Sequence, residues 1–295
     1  MCNPILVIGQ QGQVAQALKA TLPSGVTARF FGRQQLDITH ADQLENILTQ
    51  HKVNTIINAS GYTAVDLAES EPEKAFDLNA TAVEHLATLC AKQNIRLIHL
   101  SSDYVFDGTQ QASYGVDDHP NPLNVYGKSK LAGEHALTQL QPQNSTLIRS
   151  AWIYSPFGNN FVKTMLRVMR QQTTLSVIKD QVGSPTSAIE LAYFIWRLTQ
   201  VDLLAPCYHW SDLGAVSWYE FAQQIAESGQ RNGLLSHPVT IKPILSREYS
   251  SQAVRPAFSA LNSQASWSIA QPKPWQENLE TVMQALKHAK SSDSG

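Results

Sequence analysis

An α/β fold, a doubly wound parallel sheet with helices on both faces and a smaller mixed α/β cap, is predicted by three observations. Short β-branched runs alternate with helix-period segments through the first half of the chain. A glycine-bearing turn joins the first run to the first helix, and the alternation stops after Trp152. Repeated strand-helix units close only as a parallel sheet wrapped on both sides.

Residues 4–8 (Pro-Ile-Leu-Val-Ile) read as a buried strand, and residues 13–22 carry apolar side chains at 14, 15, 18 and 22, one face of a helix. A strand over 26–31, a helix over 41–51 and a strand over 53–58 follow. A helix over 73–93, a strand over 95–101, a helix over 124–139 and a strand over 146–151 complete the regular half. Beyond it come a helix over 160–171, a strand over 175–178 and a helix over 187–200. A stretch rich in Trp, Pro, Ser and Gly then leads to a last helix over 275–289, and the terminal Ser-Ser-Asp-Ser-Gly is expected to be disordered.

The 295 residues carry 22 Lys and Arg against 24 Asp and Glu, a net charge of −2. That balance lacks the basic footprint of a phosphate-backbone binder, so nucleic acid is not an expected partner. A chain of this length buries a core without staples, and Cys2, Cys90 and Cys207 show no CxxC spacing, so reduced thiols and a cytoplasmic location are expected. No basic segment leads into an apolar signal core, and no apolar run approaches the ~18 residues of a spanning helix, so no membrane partner is expected.

Gly9-Gln10-Gln11-Gly12-Gln13-Val14-Ala15 falls between the first strand and first helix, where backbone must turn sharply and lie against a pyrophosphate at a helix N-terminus. Two glycines in such a turn are also compatible with a plain tight turn. At the end of the second strand, where an acid would select NADH, the chain reads Phe30-Phe31-Gly32-Arg33. A guanidinium suits a 2′-phosphate, so Arg33 favours NADPH, the alternative being an exposed arginine with no ligand.

Tyr126 and Lys130 are four apart, hence one turn apart on one helix face, and an ammonium beside a phenol is expected to depress the tyrosine pKa. Tyr-x-x-x-Lys is weak alone, but Ser101-Ser102-Asp103 ends an upstream strand, and strand ends meet helix starts at the ligand crevice of a parallel sheet. Other candidates have plainer readings: Glu69, Glu71 and Glu73 as a solvated helix start, His99 as a hydrogen-bonded core histidine, Trp210 and Trp218 as core at least as readily as base pocket. Trp152 directly follows the fifth strand at the crevice end and is a candidate for substrate contact.

With these residues the chain resembles the extended short-chain dehydrogenase/reductases, whose Rossmann-like fold the pattern matches, and within them the dTDP-4-dehydrorhamnose reductase family. The resemblance rests on Gly12-Gln13-Val14, Asp37-Ile38, Thr63 to Asp66, Ala68 to Glu71, Ser101 to Phe106 (SSDYVF), Pro122 to Glu134 (PLNVYGKSKLAGE), Gly158 to Phe161, Leu175 to Thr186 (LSVIKDQVGSPT) and Arg255-Pro256. It implies reduction of the C4 ketone of dTDP-4-dehydro-L-rhamnose, with NADPH as cofactor and NADH accepted, a dTDP-sugar as partner and room for a homodimer.

On the family's positions, Tyr126 is the proton donor, Lys130 its partner and Ser102 the tuning hydroxyl. Gly9, Gln11, Gly12, Gln13, Val14, Arg33, Asp37, Ile38, Gly61, Tyr62 and Thr63, with Tyr126 and Lys130, would bind cofactor. Ser102, Asp103, Trp152 and Arg255 would bind substrate. Ala15 replaces a usual glycine, Gly61-Tyr62 departs from the familiar pair, and Ala17 stands where some members carry a metal-binding glutamate, so no metal is expected. The implied division is 1–158 with roughly 187–208 for the NADP-binding Rossmann domain, and 159–186 with 209–295 for the sugar-nucleotide domain. Two other functions carry the same motifs: a non-catalytic NADP-binding regulatory subunit like that of methionine adenosyltransferase, and another nucleotide-sugar reductase or epimerase.

Overall fold

The structure, a computed structural model, describes residues 4–141 and 143–292. The chain opens with β1 (Ile5–Ile8), α1 (Gln13–Ala20), β2 (Ala28–Phe31), α2 (Ala41–Gln50) and β3 (Thr55–Asn58). Two short helices, α3 (Val65–Ser70) and α4 (Pro72–Phe76), lead through a π-helical turn (Asp77–Thr81) into α5 (Ala82–Gln93). β4 (Arg96–Ser102) runs into a single 3-10 turn (Asp103–Val105), followed by α6 (Val125–Leu140) and β5 (Ser145–Ser150). The second half contains β6 (Ile153–Tyr154), α7 (Phe161–Met169), β7 (Thr174–Ile178), β8 (Val182–Gly183), β9 (Thr186–Ser187), α8 (Ala188–Leu198) and β10 (Cys207–His209). It closes with β11 (Val216–Ser217), α9 (Trp218–Arg231), β12 (Thr240–Ile244) and α10 (Trp275–Ser292).

Six strands form one sheet in the order β2-β1-β3-β4-β5-β10, every pairing parallel. From β1 the chain first moves outward to β2, then returns to β3 and continues the other way, which leaves a crevice at the strand C-termini beside β1 and β3. One face is covered by α1 and α8, whose Ala17, Leu18, Leu191 and Ile195 pack on Val7, Ile57 and Ile148. On the other, Leu44, Leu86 and Leu137 pack on Leu6, Ile56 and Leu97. Burying each such side chain contributes about 1.5–3 kcal/mol, so four-residue strands without exposed faces are stable here.

A third core belongs to the cap, where α7, α9 and α10 meet through Leu166, Phe221, Ile225, Leu279 and Met283. Helix α9 lies in the stretch read from sequence as lacking a regular element. Its buried face runs through Phe221, Ala222, Ile225, Ala226, Ser228 and Gly229, a helical apolar period that the sequence reading passed over. The expected helix over 73–93 is interrupted by the π-turn, and α3 precedes it. Helix α10 takes in Ser291 and Ser292 of the tail expected to be disordered; 293–295 lie outside the described residues, as does Cys2. Among the described residues no helix is long and apolar enough to cross a membrane.

Candidate active site

The β1–α1 turn is held by Gly9, at φ +99°, where a Cβ would lie 2.8 Å from the carbonyl oxygen of Ala59. Only glycine lets the turn sit against β3 in this way. Gly12 is the N-cap of α1 and offers no side-chain cap, so the first N–H groups of the helix face the crevice uncapped by it. Ala15 is fully buried against the sheet, which satisfies the small-residue requirement at that position. The residues present therefore fit a dinucleotide phosphate.

Helix α6 carries Tyr126 and Lys130, and its approach depends on glycines. A Cβ at Gly127 would stand 2.1 Å from the Tyr104 carbonyl oxygen and one at Gly133 2.1 Å from that of Asn79, so the helix lies directly on two turns of backbone. Asn124 caps it by accepting from the Gly127 N–H at 2.8 Å, and Glu69 accepts from the Val125 N–H at 2.8 Å. Asn79, buried in the π-turn, exchanges hydrogen bonds with the backbone of Tyr62 at 2.9 and 3.0 Å and receives no solvent. That clamp fixes the 61–63 loop, and π-turns recur at such sites.

These elements enclose a cleft of about 730 Å3. Its walls include Gly9, Gln11, Gly12, Gln13, Val14, Arg33, Asp37, Ile38, Gly61, Tyr62, Thr63, Ser102, Asp103, Tyr126, Lys130 and Trp152, so every site residue proposed from sequence but one reaches it. The exception is Arg255. Its guanidinium is committed to Asp66 at 2.6 and 3.1 Å and to the hydroxyl of Tyr104, and it does not line the cleft. The sequence could not show the half-exposed Asp66 carboxylate that holds it.

At the strand end the hydrogen bonds are directional. Ser102 Oγ donates to Asp103 Oδ1 at 3.0 Å, accepts from the Tyr104 N–H at 3.2 Å and is hydrogen-bonded to Tyr126. Ser259 donates to the other Asp103 oxygen at 2.6 Å. Burial pushes Asp103 up to about 6, against the hydrogen bonds from Ser259 and Ser102.

Tyr126 differs from the expectation of a depressed pKa. Burial pushes it up to about 12, the Ser102 hydrogen bond draws it back, and the nearby Asp103 charge adds to the rise. Lys130 does not offset this, because its Nζ turns to the Leu100 carbonyl at 2.6 Å and toward His99 at 3.5 Å. Burial pushes Lys130 itself down to about 8, with Glu134 opposing.

The opposite wall is aromatic. Trp152 adopts φ +46° and stacks on Trp218 with ring centroids 3.3 Å apart and planes 7° from parallel. Trp218, weighed from sequence against a core role, lines the cleft; Trp210 is core, 1% exposed and stacked on Phe194. Sequence reading did not single out Asn79 or Ser259, each chosen by a contact distant in sequence. At the outer end Arg33, 81% exposed, meets Asp37 at 3.0 Å. Burial draws the Asp37 carboxyl upward, but hydrogen bonds from Thr39 and Arg33 outweigh it and hold it low. Glu71 pairs with Lys74 and accepts from Tyr62, and among the described residues no group of three His, Cys, Asp or Glu could hold a metal ion.

A wholly parallel switch-point sheet, an uncapped glycine turn and a Ser-Tyr-Lys set across one cleft define an extended short-chain dehydrogenase/reductase. The family model described as RmlD substrate binding domain matches residues 3–288, and the chain belongs to that family. It is 36% identical over 290 residues to the dTDP-4-dehydrorhamnose reductase of Aggregatibacter actinomycetemcomitans, covering 94% of this chain and 97% of that one. It is 31% identical to the dTDP-4-keto-6-deoxy-D-glucose reductase of Streptomyces niveus over the full length of both. Its structure is similar to the dTDP-4-dehydrorhamnose reductase of Bacillus anthracis in complex with NADP, with a TM-score of 0.90, 32% identity and coverage of 96% and 99%.

Proposed function

We propose that the protein reduces the C4 ketone of dTDP-4-dehydro-L-rhamnose to dTDP-L-rhamnose with NADPH, using Tyr126 as proton donor. The observation that carries this is the Tyr126 phenol, hydrogen-bonded to Ser102 at the inner end of a cleft whose outer end is the glycine turn. The nicotinamide supplies a hydride to the ketone carbon when bound. The bare turn of Gly9 and Gly12, with Gln11, would admit the pyrophosphate to the first-turn N–H groups of Gln13 and Val14, and Arg33 with Asp37 and Ile38 would hold the adenosine end. Gly61, Tyr62 and Thr63 would follow the chain of the cofactor inward to Lys130 at the nicotinamide ribose.

A phenol pushed up to about 12 retains its proton at neutral pH, so Tyr126 enters the reaction in the acid form required to protonate a developing alkoxide. Ser102 would orient that phenol through their hydrogen bond while the phenolic proton passes to the developing alkoxide. Asp103 and Trp152 would hold the sugar. In this reading 1–158 with 187–208 binds NADP, 159–186 with 209–295 binds the nucleotide sugar, and the enzyme acts in the cytoplasm as a homodimer.

The test is NADPH oxidation on addition of enzymatically generated dTDP-4-dehydro-L-rhamnose, with the product identified by mass and by NMR of the new C4 stereocentre. Oxidation of NADPH only with the D-gluco ketone would move the assignment to a reductase of the Streptomyces niveus kind. NADPH binding without turnover on either ketone would move it to a non-catalytic regulatory subunit.

A further inference from the structure

The buried surroundings of Lys130 determine its charge. The backbone N–H and the hydroxyl of Ser60 both donate to Asn58 Oδ1, at 3.1 and 2.6 Å. This fixes the amide orientation, and Asn58 Nδ2 faces His99 Nδ1 at 3.1 Å. An amide nitrogen only donates, so Nδ1 accepts. His99 has no solvent exposure, and burial holds it well below the usual histidine range. Its single ring proton is therefore on Nε2, which points at Lys130 Nζ 3.5 Å away. An ammonium has no lone pair with which to accept that N–H, whereas an amine has one and still donates to Leu100.

We propose that His99 is a positioning residue: through its Nε2–H it favours the neutral amine form of Lys130 in the free protein, so that binding of the anionic dinucleotide draws a proton onto the fraction of Lys130 that lacks one. The ionisable groups around Lys130 accord with this. His99 faces it from β4; Glu134, one turn along α6, is already gripped by Arg149 of β5 at 2.7 Å. Tyr126 lies one turn before it on α6, with Asp103 of the 3-10 turn acting on that phenol. The 61–63 loop brings the backbone of Gly61, and the π-turn brings the uncharged Asn79. Protonation on binding would deliver the ammonium only when the ribose hydroxyls and the phenol need it.

The inference rests on the NADPH reading above, and calorimetry separates the two. NADPH titrations at about pH 8 in buffers of different ionisation enthalpy give the protons exchanged per site. Wild type is expected to take up about half a proton, the neutral fraction of a group titrating near that pH. His99→Leu, lacking the donor, should take up roughly a tenth of a proton or less, and His99→Gln, whose Nε2 replaces the donor, should restore uptake. Nitrogen-detected NMR of the unaltered free protein should show His99 as the neutral Nε2–H tautomer, a measurement that needs no variant. Binding without proton uptake, equal uptake in wild type and His99→Leu, or an Nδ1–H or imidazolium ring would each overturn the proposal. Absence of any NADPH binding would overturn the functional reading, and this inference with it.

Discussion

The two walls of the cleft are built on different principles. The glycine wall is backbone from the strand ends, with Gly9, Gly12 and Gly61 lining the cleft without side chains. The cap wall is side chain: Trp152 and Trp218 stack across more than sixty residues of sequence, and Gly183 is the floor beneath the indole. Backbone built on a parallel sheet recognises what all dinucleotides share, whereas stacked side chains can be replaced one at a time. Cofactor binding should therefore be insensitive to changes at the cap wall, and sugar binding insensitive to changes at the glycine turn.

The largest expected effect belongs to neither wall alone. Tyr126→Phe keeps the ring and its edge contact with Tyr104 at 5.8 Å but removes the acid, and kcat should fall by about 10²–10⁴ with NADPH affinity unchanged. Steady-state kinetics with a fluorescence titration of NADPH checks both halves; residual turnover above a few per cent would mean another donor.

At the seam between the walls, Asp212 accepts from Tyr154 at 3.0 Å and from the Ser187 N–H at 3.0 Å, while its Oδ1 has no partner. Burial pushes this carboxyl up to about 7, so between about 4 and 7 the folded state holds a proton that the unfolded state releases. Stability from this group is present at low pH and lost as pH rises through that window, with a slope of about 1.4 kcal/mol per pH unit. Asp212→Asn should remove that slope. Urea melts of both proteins across the window measure it, and parallel pH profiles would refute the assignment.

A narrower blow to the cap wall is Gly183→Val, because a Cβ there would lie 2.5 Å from the Trp152 ring. Displacing the indole costs about 1–3 kcal/mol, which should appear as a rise of roughly tenfold to a hundredfold in KM for the sugar nucleotide. A matching rise in KM for NADPH would show that the walls are not independent.

The smallest change tests the outer glycine wall. Arg33 is exposed and already meets Asp37, so its contact with a 2′-phosphate is screened, and Arg33→Asp should weaken NADPH by about tenfold while sparing NADH. Equal loss for both cofactors would remove Arg33 from cofactor selection.

The same contrast governs what could be read from sequence. The glycine turn and the Tyr-Lys helix were legible because the residues that act together are neighbours at fixed spacing. Their electrostatics were not: Lys130 shares a face with Tyr126, yet its amine turns to a β4 carbonyl and the phenol is raised rather than lowered. On the cap side, Trp218 and Ser259 take their roles from partners far along the chain, which no local pattern encodes. Helix α9 had two local signals that would have revealed it, the capping box in which Ser217 and Glu220 bond each other's backbone N–H and the apolar face of Phe221, Ala222, Ile225 and Ala226.

The fastening of Ser102-Asp103-Tyr104 has a consequence in time as well as in space. Asp103 is held by Ser259 and Tyr104 by Arg255, partners more than 150 residues further on. Domains fold from the N-terminus as the chain is synthesised. The glycine turn and its sheet are therefore available well before the segment that anchors the Ser102–Tyr104 turn has left the ribosome. A nascent or truncated chain ending before Arg255 contains every residue of the glycine wall and neither anchor, so holding a dinucleotide and being competent to reduce a sugar are acquired at different moments in the life of one polypeptide.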